Sequence, residues 1–160
     1  MLSQVKYVDE NVTDKLFQLY RESMADMADK FSSDLEMKEA YASFLKDFIE
    51  HKNQLVLVEN VGGEWMSGLR AVESRPGHWF IEAVETMPDH RHNGYGRMLL
   101  LDTIEFLGNR NAKTLECIIA ENNEASISLH SGCGFIRTNA APVNCWDEYE
   151  DGGILFRLEL

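Results

Sequence analysis

Residues Trp79 to Leu107 read WFIEAVETMPDHRHNGYGRMLLLDTIEFL, and this stretch predicts a strand, a loop and a helix in succession. The run from Trp79 to Thr86 is apolar and rich in residues that favour strands. The loop ends in Gly94 and Gly96, and apolar residues then recur at helical spacing from Arg97 to Leu107. The rest of the chain is interpreted around this unit.

The two glycines indicate what the loop can bind. Without a Cβ atom, Gly94 and Gly96 allow a tight turn and a close approach by a ligand. The first N–H groups of a helix have no internal acceptor, and the helix dipole adds positive charge beside them. We therefore expect phosphate oxygens to bind here, with the Arg91 cation nearby. The expected amide donors belong to His92, Asn93, Gly94, Tyr95, Gly96 and Arg97.

Several readings of this loop are possible from its residues. Taken alone, the glycines are equally consistent with a simple tight turn. A dinucleotide fingerprint would need a third glycine where Leu99 stands, and no Gly-Lys-Ser or Gly-Lys-Thr sequence occurs to form a P-loop. The spacing Arg91-x-x-Gly94-x-Gly96 instead resembles the acyl-CoA pyrophosphate loop of the GNAT superfamily of N-acetyltransferases.

A second segment resembles the same family. Asn122-x-x-Ala125 is followed by Leu129 and then by Gly134-Phe135, and the resemblance implies that Asn122 contacts the pantetheine arm of CoA. Where many relatives carry a tyrosine as proton donor to the CoA thiolate, this chain has His130. An imidazole can do the same work because it titrates near neutral pH, although a histidine packed on a helix is also consistent with the sequence.

Composition excludes other classes of protein. A chain of 160 residues fits one domain, 1–160, with a single core. It has no apolar run as long as the ~18 residues of a membrane span and no signal-peptide pattern at Met1–Val12, so we expect a cytoplasmic protein that does not bind membranes. Three cysteines without CxxC spacing argue against disulfides and zinc, and we expect no metal site.

The charge balance bears on possible partners. Fifteen Lys and Arg residues against 27 Asp and Glu residues give a formal charge of -12. A field of that sign repels nucleic acid and anionic membranes and favours cationic partners. We therefore expect a cationic amine as partner and no nucleic acid.

The pattern along the chain predicts an α/β (α+β) fold. Its sheet is mixed and mostly antiparallel, with six to seven strands flanked by about four helices. The strands on either side of the central helix should be parallel, because a helix of that length returns the chain in the same direction. The predicted elements are a strand at Val5–Val8, a helix capped by Thr13 or Asp14, a helix with a Ser33–Glu36 capping box, strands at Gln54–Glu59, Glu64–Val72, Trp79–Thr86 and Thr114–Ile119, a helix at Ala125–Ser131, and strands at Phe135–Thr138 and Gly153–Glu159.

The resemblance implies a reaction and a place for it. In the GNAT fold the central parallel strands splay apart, and the pantetheine arm bonds to the strand edge, here around Val84 and Thr86. A neutral amine attacks the thioester of acetyl-CoA, so a base must first take a proton from the ammonium group. Glu82 is the leading candidate and Glu85 the second. Alternation predicts that Glu82 shares a face with Val84 and Thr86 and that Glu85 points to the other.

Two functional hypotheses follow. The first is an acetyl-CoA-dependent N-acetyltransferase that acts on a primary amine of a small molecule or peptide. The second is a GNAT-like domain that binds acyl-CoA without turnover, as a sensor or an interaction module, because the usual tyrosine is missing. Separately, Glu82 is equally consistent with a structural role, either paired with a nearby cation or facing water in a splayed sheet. A homodimer through an exposed strand edge near the C-terminus is also possible.

Overall fold

The computed structural model describes residues 1–160 and contains one seven-stranded sheet with helices on both faces. The strands are β1 (Leu2–Gln4), β2 (Gln54–Val61), β3 (Glu64–Arg75), β4 (His78–Thr86), β5 (Thr114–Ala120), β6 (Ile136–Arg137) and β7 (Gly153–Glu159). The helices are α1 (Glu10–Leu19), α2 (Arg21–Met27), α3 (Asp34–Glu50), α4 (Tyr95–Gly108) and α5 (Glu124–Gly132). None of the helices is both long and apolar enough to cross a membrane.

The sheet is mixed, as predicted. Its strand order is β1-β2-β3-β4-β5-β7-β6, with β4 and β5 parallel and every other neighbouring pair antiparallel. Helix α4 connects β4 to β5, because parallel neighbours need a crossover rather than a tight turn. The predicted fold class is confirmed, with five α-helices where about four were expected.

Two hydrophobic cores lie on opposite faces of the sheet. On one face, Leu99 and Leu100 of α4 pack with Leu69 and Ile81 of the strands. On the other face, side chains of α1, α2 and α3 pack with neighbouring positions of β2 and β3, such as Val58. Each central strand therefore contributes alternate residues to the two cores, and the face of a β4 side chain decides which helices it meets.

The first strand lies earlier in the chain than predicted. The strand is Leu2–Gln4, so the prediction of a strand at Val5–Val8 is wrong. Val5 still donates its N–H to the Val56 carbonyl oxygen at 2.9 Å, but its side chain is buried in the core beneath α1 and α3. The chain leaves the sheet edge there to reach Asp9, where α1 is capped.

Helix α1 also begins earlier, which makes the prediction of Thr13 or Asp14 as its cap wrong. Asp9 caps the helix, and its Oδ1 accepts the Val12 N–H at 2.7 Å. Thr13 lies inside the helix, where its hydroxyl donates to the Asp9 carbonyl oxygen at 2.8 Å. An Asp at this position satisfies a free N–H at the helix start, so the helix begins after Asp9, the earlier of the residues that can cap it.

Between α1 and α2 the backbone breaks at Tyr20, where the sequence predicts one continuous helix. Tyr20 has φ -97° and ψ 20°, outside the helical region. Its buried side chain reaches across to the sheet, where the hydroxyl donates to the Ala83 carbonyl oxygen at 2.7 Å. The next helix, α3, begins as predicted, with the Ser33 hydroxyl accepting the Glu36 N–H at 3.1 Å.

Ala83 forms a bulge in β4 that the sequence did not predict. Its φ is 52°, in the left-handed region that non-glycine residues rarely adopt. Arg70 of β3 pairs with Glu82 and Gly68 with Glu85, so two steps along β3 match three along β4. An extra residue reverses the alternation of all later side chains.

The bulge corrects the predicted faces of the two candidate bases. Glu82 and Glu85 both face α1–α3, rather than opposite sides. Val84 packs in the core beneath α4, and the Thr86 hydroxyl lies close to Gly96 on that same face. The prediction that Glu82 shares a face with Val84 and Thr86 is therefore wrong, because strict alternation ends at Ala83.

The central strands separate where the resemblance implies. Strands β4 and β5 are paired only over three residues each, from His78 to Phe80 and from Thr114 to Glu116. Beyond them β4 continues to Thr86 and β5 to Ala120 without pairing to each other. The result is a gap in the middle of the sheet, which joins its two faces.

The Tyr20 hydroxyl should stabilise this bulge measurably. For Tyr20→Phe we expect a loss of about 1 kcal/mol in the free energy of unfolding, because the Ala83 carbonyl oxygen would lose its donor in a part-buried site. The measurement is urea unfolding followed by far-UV circular dichroism. Tyr41→Phe is the matched control, since Tyr41 is also a buried residue but its hydroxyl has no hydrogen bond within the protein. Equal losses in the two variants would contradict the assignment.

Candidate active site

A cavity of about 880 Å³ opens beside the gap in the sheet. One end is lined by residues of the loop from Arg91 to Arg97, and the other by Tyr20 and by side chains of α2 and α3. A smaller cavity of about 200 Å³ lies in the gap itself, between β4, β5 and α5. The two cavities share Ala83, Val84, Asn123 and Ser126, so the bulge lies at their junction.

The loop presents a row of free backbone donors. The six consecutive N–H groups from His92 to Arg97 have no acceptor within the protein. The first intrahelical bond of α4 runs from the Met98 N–H to the Gly94 carbonyl oxygen at 2.9 Å. Gly94 caps the helix with φ 83° and no side-chain cap. This arrangement can bind an anion, because several dipoles point at one place.

Asn93 holds the loop in shape without blocking it. Its side-chain amide donates to the carbonyl oxygens of His90 and Arg91, both at 3.1 Å. These bonds use carbonyl groups inside the turn and leave the amides free.

The two loop glycines have different roles. A Cβ atom on Gly94 would meet nothing within 4 Å, so the cavity is open there. A Cβ atom on Gly96 would lie 3.1 Å from the Thr86 hydroxyl and 3.3 Å from a Leu129 methyl group. Gly96 therefore lets α4 approach β4 and α5 closely, while Gly94 provides the positive φ and the open space.

The two arginines of the loop differ in their partners. Arg91 is bound by Glu22 of α2, at 2.6 Å and 3.3 Å, and its Nε lies 3.4 Å from the Thr86 carbonyl oxygen. The sequence placed the Arg91 cation beside the phosphates, but Glu22 already neutralises it. Arg97 lines the cavity and has no ion pair within the protein. It is the uncompensated cation at this end.

Glu82 is held in an ion pair. Its Oε1 accepts from Arg70 Nε at 2.9 Å, and both side chains are 22% exposed. The Arg70 guanidinium lies over the rings of Phe44 and Phe48, at 4.9 and 5.8 Å from their centres. Phe44 is 43% exposed, and one face of its ring is covered by Arg70. Glu82 is therefore paired with a nearby cation, which is one of the two roles that the sequence left open for it.

Glu85 is the carboxylate that lines the larger cavity, whereas Glu82 lines the smaller one. Its Oε2 accepts from the Ser23 hydroxyl at 2.9 Å, while Oε1 lies 3.9 Å from Arg91, beyond hydrogen-bond reach. Burial raises the pKa of Glu85 above its ordinary value; Ser23 and Arg91 lower it, and Glu22 and Asp26 add to the rise. A carboxylate of this kind is a better proton acceptor than an exposed one.

His130 lies at the back of the gap with one nitrogen free. Its Nδ1 is 2.8 Å from the Ser126 carbonyl oxygen, which can only accept, so Nδ1 carries the proton. Nε2 is buried without a partner, and the ring borders the smaller cavity. Burial lowers the pKa of His130. The imidazole is therefore neutral near pH 7 and offers a lone pair to the gap.

The remaining predicted residues lie along the gap. Val84 has no paired residue in β3 or β5, so its backbone is at the open edge. Thr86 lines the larger cavity. Asn122 is exposed and lines neither cavity, whereas the next residue, Asn123, lines both and caps α5 by accepting the Ser126 N–H at 3.1 Å.

Comparison with known proteins gives this site a family. The sequence model of the acetyltransferase (GNAT) family matches residues 14–135 of the chain. The chain belongs to the GNAT family of acetyltransferases. The members of this family use acetyl-CoA, which agrees with an anion-binding loop at the mouth of a splayed sheet. No curated protein sequence matches the chain.

Solved structures share the fold at low sequence identity. The PaiA N-acetyltransferase of Thermoplasma acidophilum, in complex with coenzyme A, has a TM-score of 0.74 and 13% identity, over 100% of this chain and 99% of that one. The ribosomal-protein-alanine N-acetyltransferase of Brucella melitensis has a TM-score of 0.73 and 20% identity, over 100% and 99%. The ribosomal-protein-S18-alanine N-acetyltransferase of Escherichia coli has a TM-score of 0.68 and 20% identity, over 99% of this chain and 94% of that one.

Sequence reasoning missed the residues that this GNAT chain contributes from its first helices. Ser23, Glu22 and Tyr41 line or border the cavity, and none stands in a motif. The available signal was the placement of such helices over the acceptor pocket in the family. That signal predicts which region of the chain borders the pocket but not which residues do. The residues of α2 that contact β4 are distant from it in sequence, so only the folded structure identifies them.

The two glutamates should respond oppositely to removal of their charge. A carboxyl group whose pKa is raised in the folded state destabilises the fold at neutral pH, and this cost disappears as pH falls toward the unfolded value of about 4.3. We expect Glu85→Gln to raise the free energy of unfolding at pH 7.5, with a smaller gain at pH 5. The measurement is urea unfolding at both pH values.

Glu82→Gln is the matched comparison for this experiment. It breaks the pair with Arg70 and should lower the free energy of unfolding by about 1 kcal/mol at pH 7.5. If Glu85→Gln destabilised the protein as much as Glu82→Gln, the description of Glu85 as a carboxylate whose pKa is raised by burial would be wrong.

Proposed function

We propose that the protein transfers the acetyl group of acetyl-CoA to a primary amine of a small molecule or peptide, by direct attack of the amine on the thioester. The observation that carries the proposal is the row of six free amides from His92 to Arg97, at one end of a cavity that leads past the sheet gap to Glu85. The free amides, the gap between β4 and β5 and Glu85 follow one another along the cavity, as the diphosphate, the thioester and the acceptor amine would in the reaction.

The loop residues fit the diphosphate of acetyl-CoA. Free N–H groups can donate to several phosphate oxygens at once, and the uncompensated Arg97 adds a positive charge. Gly94 leaves room for the group to approach the backbone. Arg91 would act indirectly, by holding α2 through Glu22, or would exchange Glu22 for a phosphate.

The gap between β4 and β5 fits the pantetheine arm and the thioester. The arm would run along β4 at Val84 and Thr86, where the strand is not paired with β5, with Asn122 as a predicted further contact. When bound, acetyl-CoA supplies an electrophilic carbonyl carbon. A β4 backbone N–H near Val84 would donate to the carbonyl oxygen and stabilise the charge that develops there.

We assign Glu85 as the base that takes the first proton, in place of Glu82. Glu85 faces the cavity, keeps Oε1 free of hydrogen bonds and has a raised pKa, whereas Glu82 is occupied by Arg70. An ammonium group that enters the cavity would transfer a proton to Glu85, directly or through a water, and become a nucleophile.

His130 would pass the second proton. The sequence suggests that it donates to the CoA thiolate, but its Nε2 holds a lone pair and must accept a proton before it can donate one. After attack on the thioester, the nitrogen of the acceptor amine carries one proton more than it does in the acetylated product. His130 would take that proton at Nε2 and deliver it to the departing sulfur, so that Glu85 alone releases a proton to solvent.

A second candidate function is binding of acyl-CoA without turnover. The observation that favours it is the same neutral His130, which lacks a proton to give at Nε2 and replaces the tyrosine of many relatives. Release of free thiol from acetyl-CoA in the presence of an amine separates the two functions.

The peptide amino group stays a candidate acceptor because ribosomal-protein-alanine N-acetyltransferases share the fold. A cytoplasmic location and a homodimer remain predictions.

The anion site is tested by a pair of isosteric substitutions. Asn and Asp both tolerate positive φ, and position 94 has room for either side chain. Gly94→Asp should abolish the rise in melting temperature that CoA causes, because its carboxylate would stand beside the diphosphate. Gly94→Asn should keep much of that rise. An equal rise in melting temperature with CoA in the two variants would contradict the assignment of this loop as the diphosphate site.

The proton relay is tested at His130. For His130→Phe we expect turnover to fall by about tenfold or more, with CoA affinity nearly retained. His51→Phe is the matched control: its Nδ1 also bonds to a carbonyl oxygen four residues earlier, at 2.9 Å, but the residue is exposed at the end of α3. In the unmodified enzyme, activity should decline only below the ordinary pKa of histidine, because His130 works in its neutral form. Full activity of His130→Phe would exclude the relay.

A further inference from the structure

One cation at the acceptor end of the larger cavity has hydrogen-bond donors that the protein does not use. We propose that the acceptor is a free α-amino acid with an apolar side chain, whose ammonium group binds at Glu85 and whose carboxylate binds the two Nη atoms of Arg70. This inference rests on the proposed function, since it names the substrate class of the same site. The reaction breaks the bond from the acetyl carbon to sulfur and forms one to the α-nitrogen. It yields an N-acetyl amino acid and CoA with a free thiol, and the second proton leaves through Glu85.

Arg70 uses only part of its guanidinium group within the protein. It lines the larger cavity, whereas its partner Glu82 lines the smaller one. The ion pair runs through Arg70 Nε, which donates to Glu82 Oε1 at 2.9 Å. The two Nη atoms have no hydrogen bond within the protein, and both are open to solvent. The guanidinium group therefore has two donor atoms left for another molecule.

A second ion pair in the same sheet shows how much of the guanidinium group can be used. Arg157 of β7 lies opposite Glu116 of β5, as Arg70 of β3 lies opposite Glu82 of β4. There Glu116 Oε1 accepts from Nε at 2.7 Å and lies 2.6 Å from Nη2, so two donors bind one carboxylate. Two-point binding is common because the N–H groups of arginine form a fork. At Arg70 the Nη side of the fork stays open, and this arginine is the one that borders a cavity.

The guanidinium group of Arg70 is also held in position. It lies over the rings of Phe44 and Phe48, and the bond to Glu82 fixes its Nε side. A planar guanidinium is well suited to stacking on aromatic faces, which restricts its rotation. A group that is restrained before binding loses little freedom when a ligand arrives. The two Nη donors are therefore preorganised for a carboxylate.

The strand register sets the distance between the two charged groups. Glu85 of β4 lies opposite Gly68 of β3, and Arg70 is two residues from Gly68 on the same strand. Diagonal neighbours of this kind share a face and have Cα atoms about 7–8 Å apart. Both side chains lie on the face that α2 and α3 cover, where Glu85 also bonds to Ser23. An α-amino acid between two charge-assisted hydrogen bonds of about 2.8 Å covers a distance of this size.

The rest of this wall suits an apolar side chain. Met24 and Met27 of α2 line the cavity together with Tyr20, whose hydroxyl is already used at Ala83. Methionine adapts its shape to an apolar partner. An amino acid as a whole has no net charge, so the charge of -12 on the protein does not repel it. The cationic group that the sequence leads us to expect is then the ammonium end of a zwitterion.

The experiment compares three amines that share one branched apolar side chain. L-Leucine has the carboxylate, 3-methylbutylamine lacks it, and L-leucyl-L-leucinamide has a peptide bond in its place. Their affinities for the CoA-loaded protein are measured by isothermal titration calorimetry. We expect leucine to bind at least about fivefold more tightly than either of the others, because only its carboxylate can bond to a cation. Equal or tighter binding of 3-methylbutylamine or of the peptide, or no binding of leucine, would overturn the inference.

Substitution of Arg70 tests the contact with the carboxylate. Arg70→Gln should weaken leucine binding by about fivefold or more without weakening the binding of 3-methylbutylamine. Arg70→Lys keeps a cation beside Glu82 and so protects the fold. It should still weaken leucine binding by about threefold or more, because an ammonium group held by Glu82 offers no planar fork to a second carboxylate. Unchanged leucine affinity in Arg70→Lys would overturn the assignment, whether or not Arg70→Gln folds.

Arg157→Gln is the matched control for these variants. It breaks a cross-strand ion pair of the same sheet, but at a residue that lines neither cavity. It should change the affinity for neither leucine nor 3-methylbutylamine. A loss of leucine binding equal to that in Arg70→Gln would assign the effect to the sheet rather than to a contact with the ligand, and the proposal would then be wrong.

Thiol release from acetyl-CoA, measured with the same three amines, keeps this inference apart from the proposed function. Tighter binding of leucine without thiol release from any amine would refute the transferase reaction and leave the amino-acid site standing. Thiol release with 3-methylbutylamine or with the peptide as efficient as with leucine would overturn the inference and leave the reaction standing.

Discussion

The structure depends on an incomplete ladder of hydrogen bonds between two parallel strands. Strands β4 and β5 pair over three residues each and then part, although both continue. Backbone groups inside a protein are normally paired, so an unpaired strand edge at the centre of a sheet is costly unless another molecule bonds to it. The gap is part of the fold, and it leaves one edge of β4 available to a bonding partner.

The bulge at Ala83 allows this separation. An extra residue in β4 bends the strand and turns its later side chains to new faces. Tyr20 holds the bulge in place from the other side of the sheet, through its hydrogen bond to the Ala83 carbonyl oxygen. Because Tyr20 also interrupts the helix between α1 and α2, the same residue sets the geometry of the strand and of the helix that covers the cavity.

The two ends of the cavity are joined by ion pairs. Glu22 of α2 binds Arg91 of the loop, and Arg21 binds Asp89 at 3.0 Å. The loop with the free amides and the wall that bears Glu85 are thus parts of one connected surface. Exposed pairs of this kind contribute little to stability individually, so their main effect here is to position α2.

The sequence by itself determined the features that depend on neighbouring residues. The free amides follow from a helix that begins at a glycine loop, and the cap at Ser33 follows from its spacing to Glu36, so both could be predicted locally. The parallel pair followed from the length of the helix between two strands. The tertiary structure alone decided that Glu82 is held in a direct ion pair and that Glu85 lines the larger cavity. Nothing in the sequence marks Ala83 for a left-handed conformation, and the partners that neutralise charge lie far along the chain, Arg70 12 residues from Glu82 and Glu22 69 residues from Arg91. Charge pairing is a property of distance in space, which a local pattern of residues does not contain.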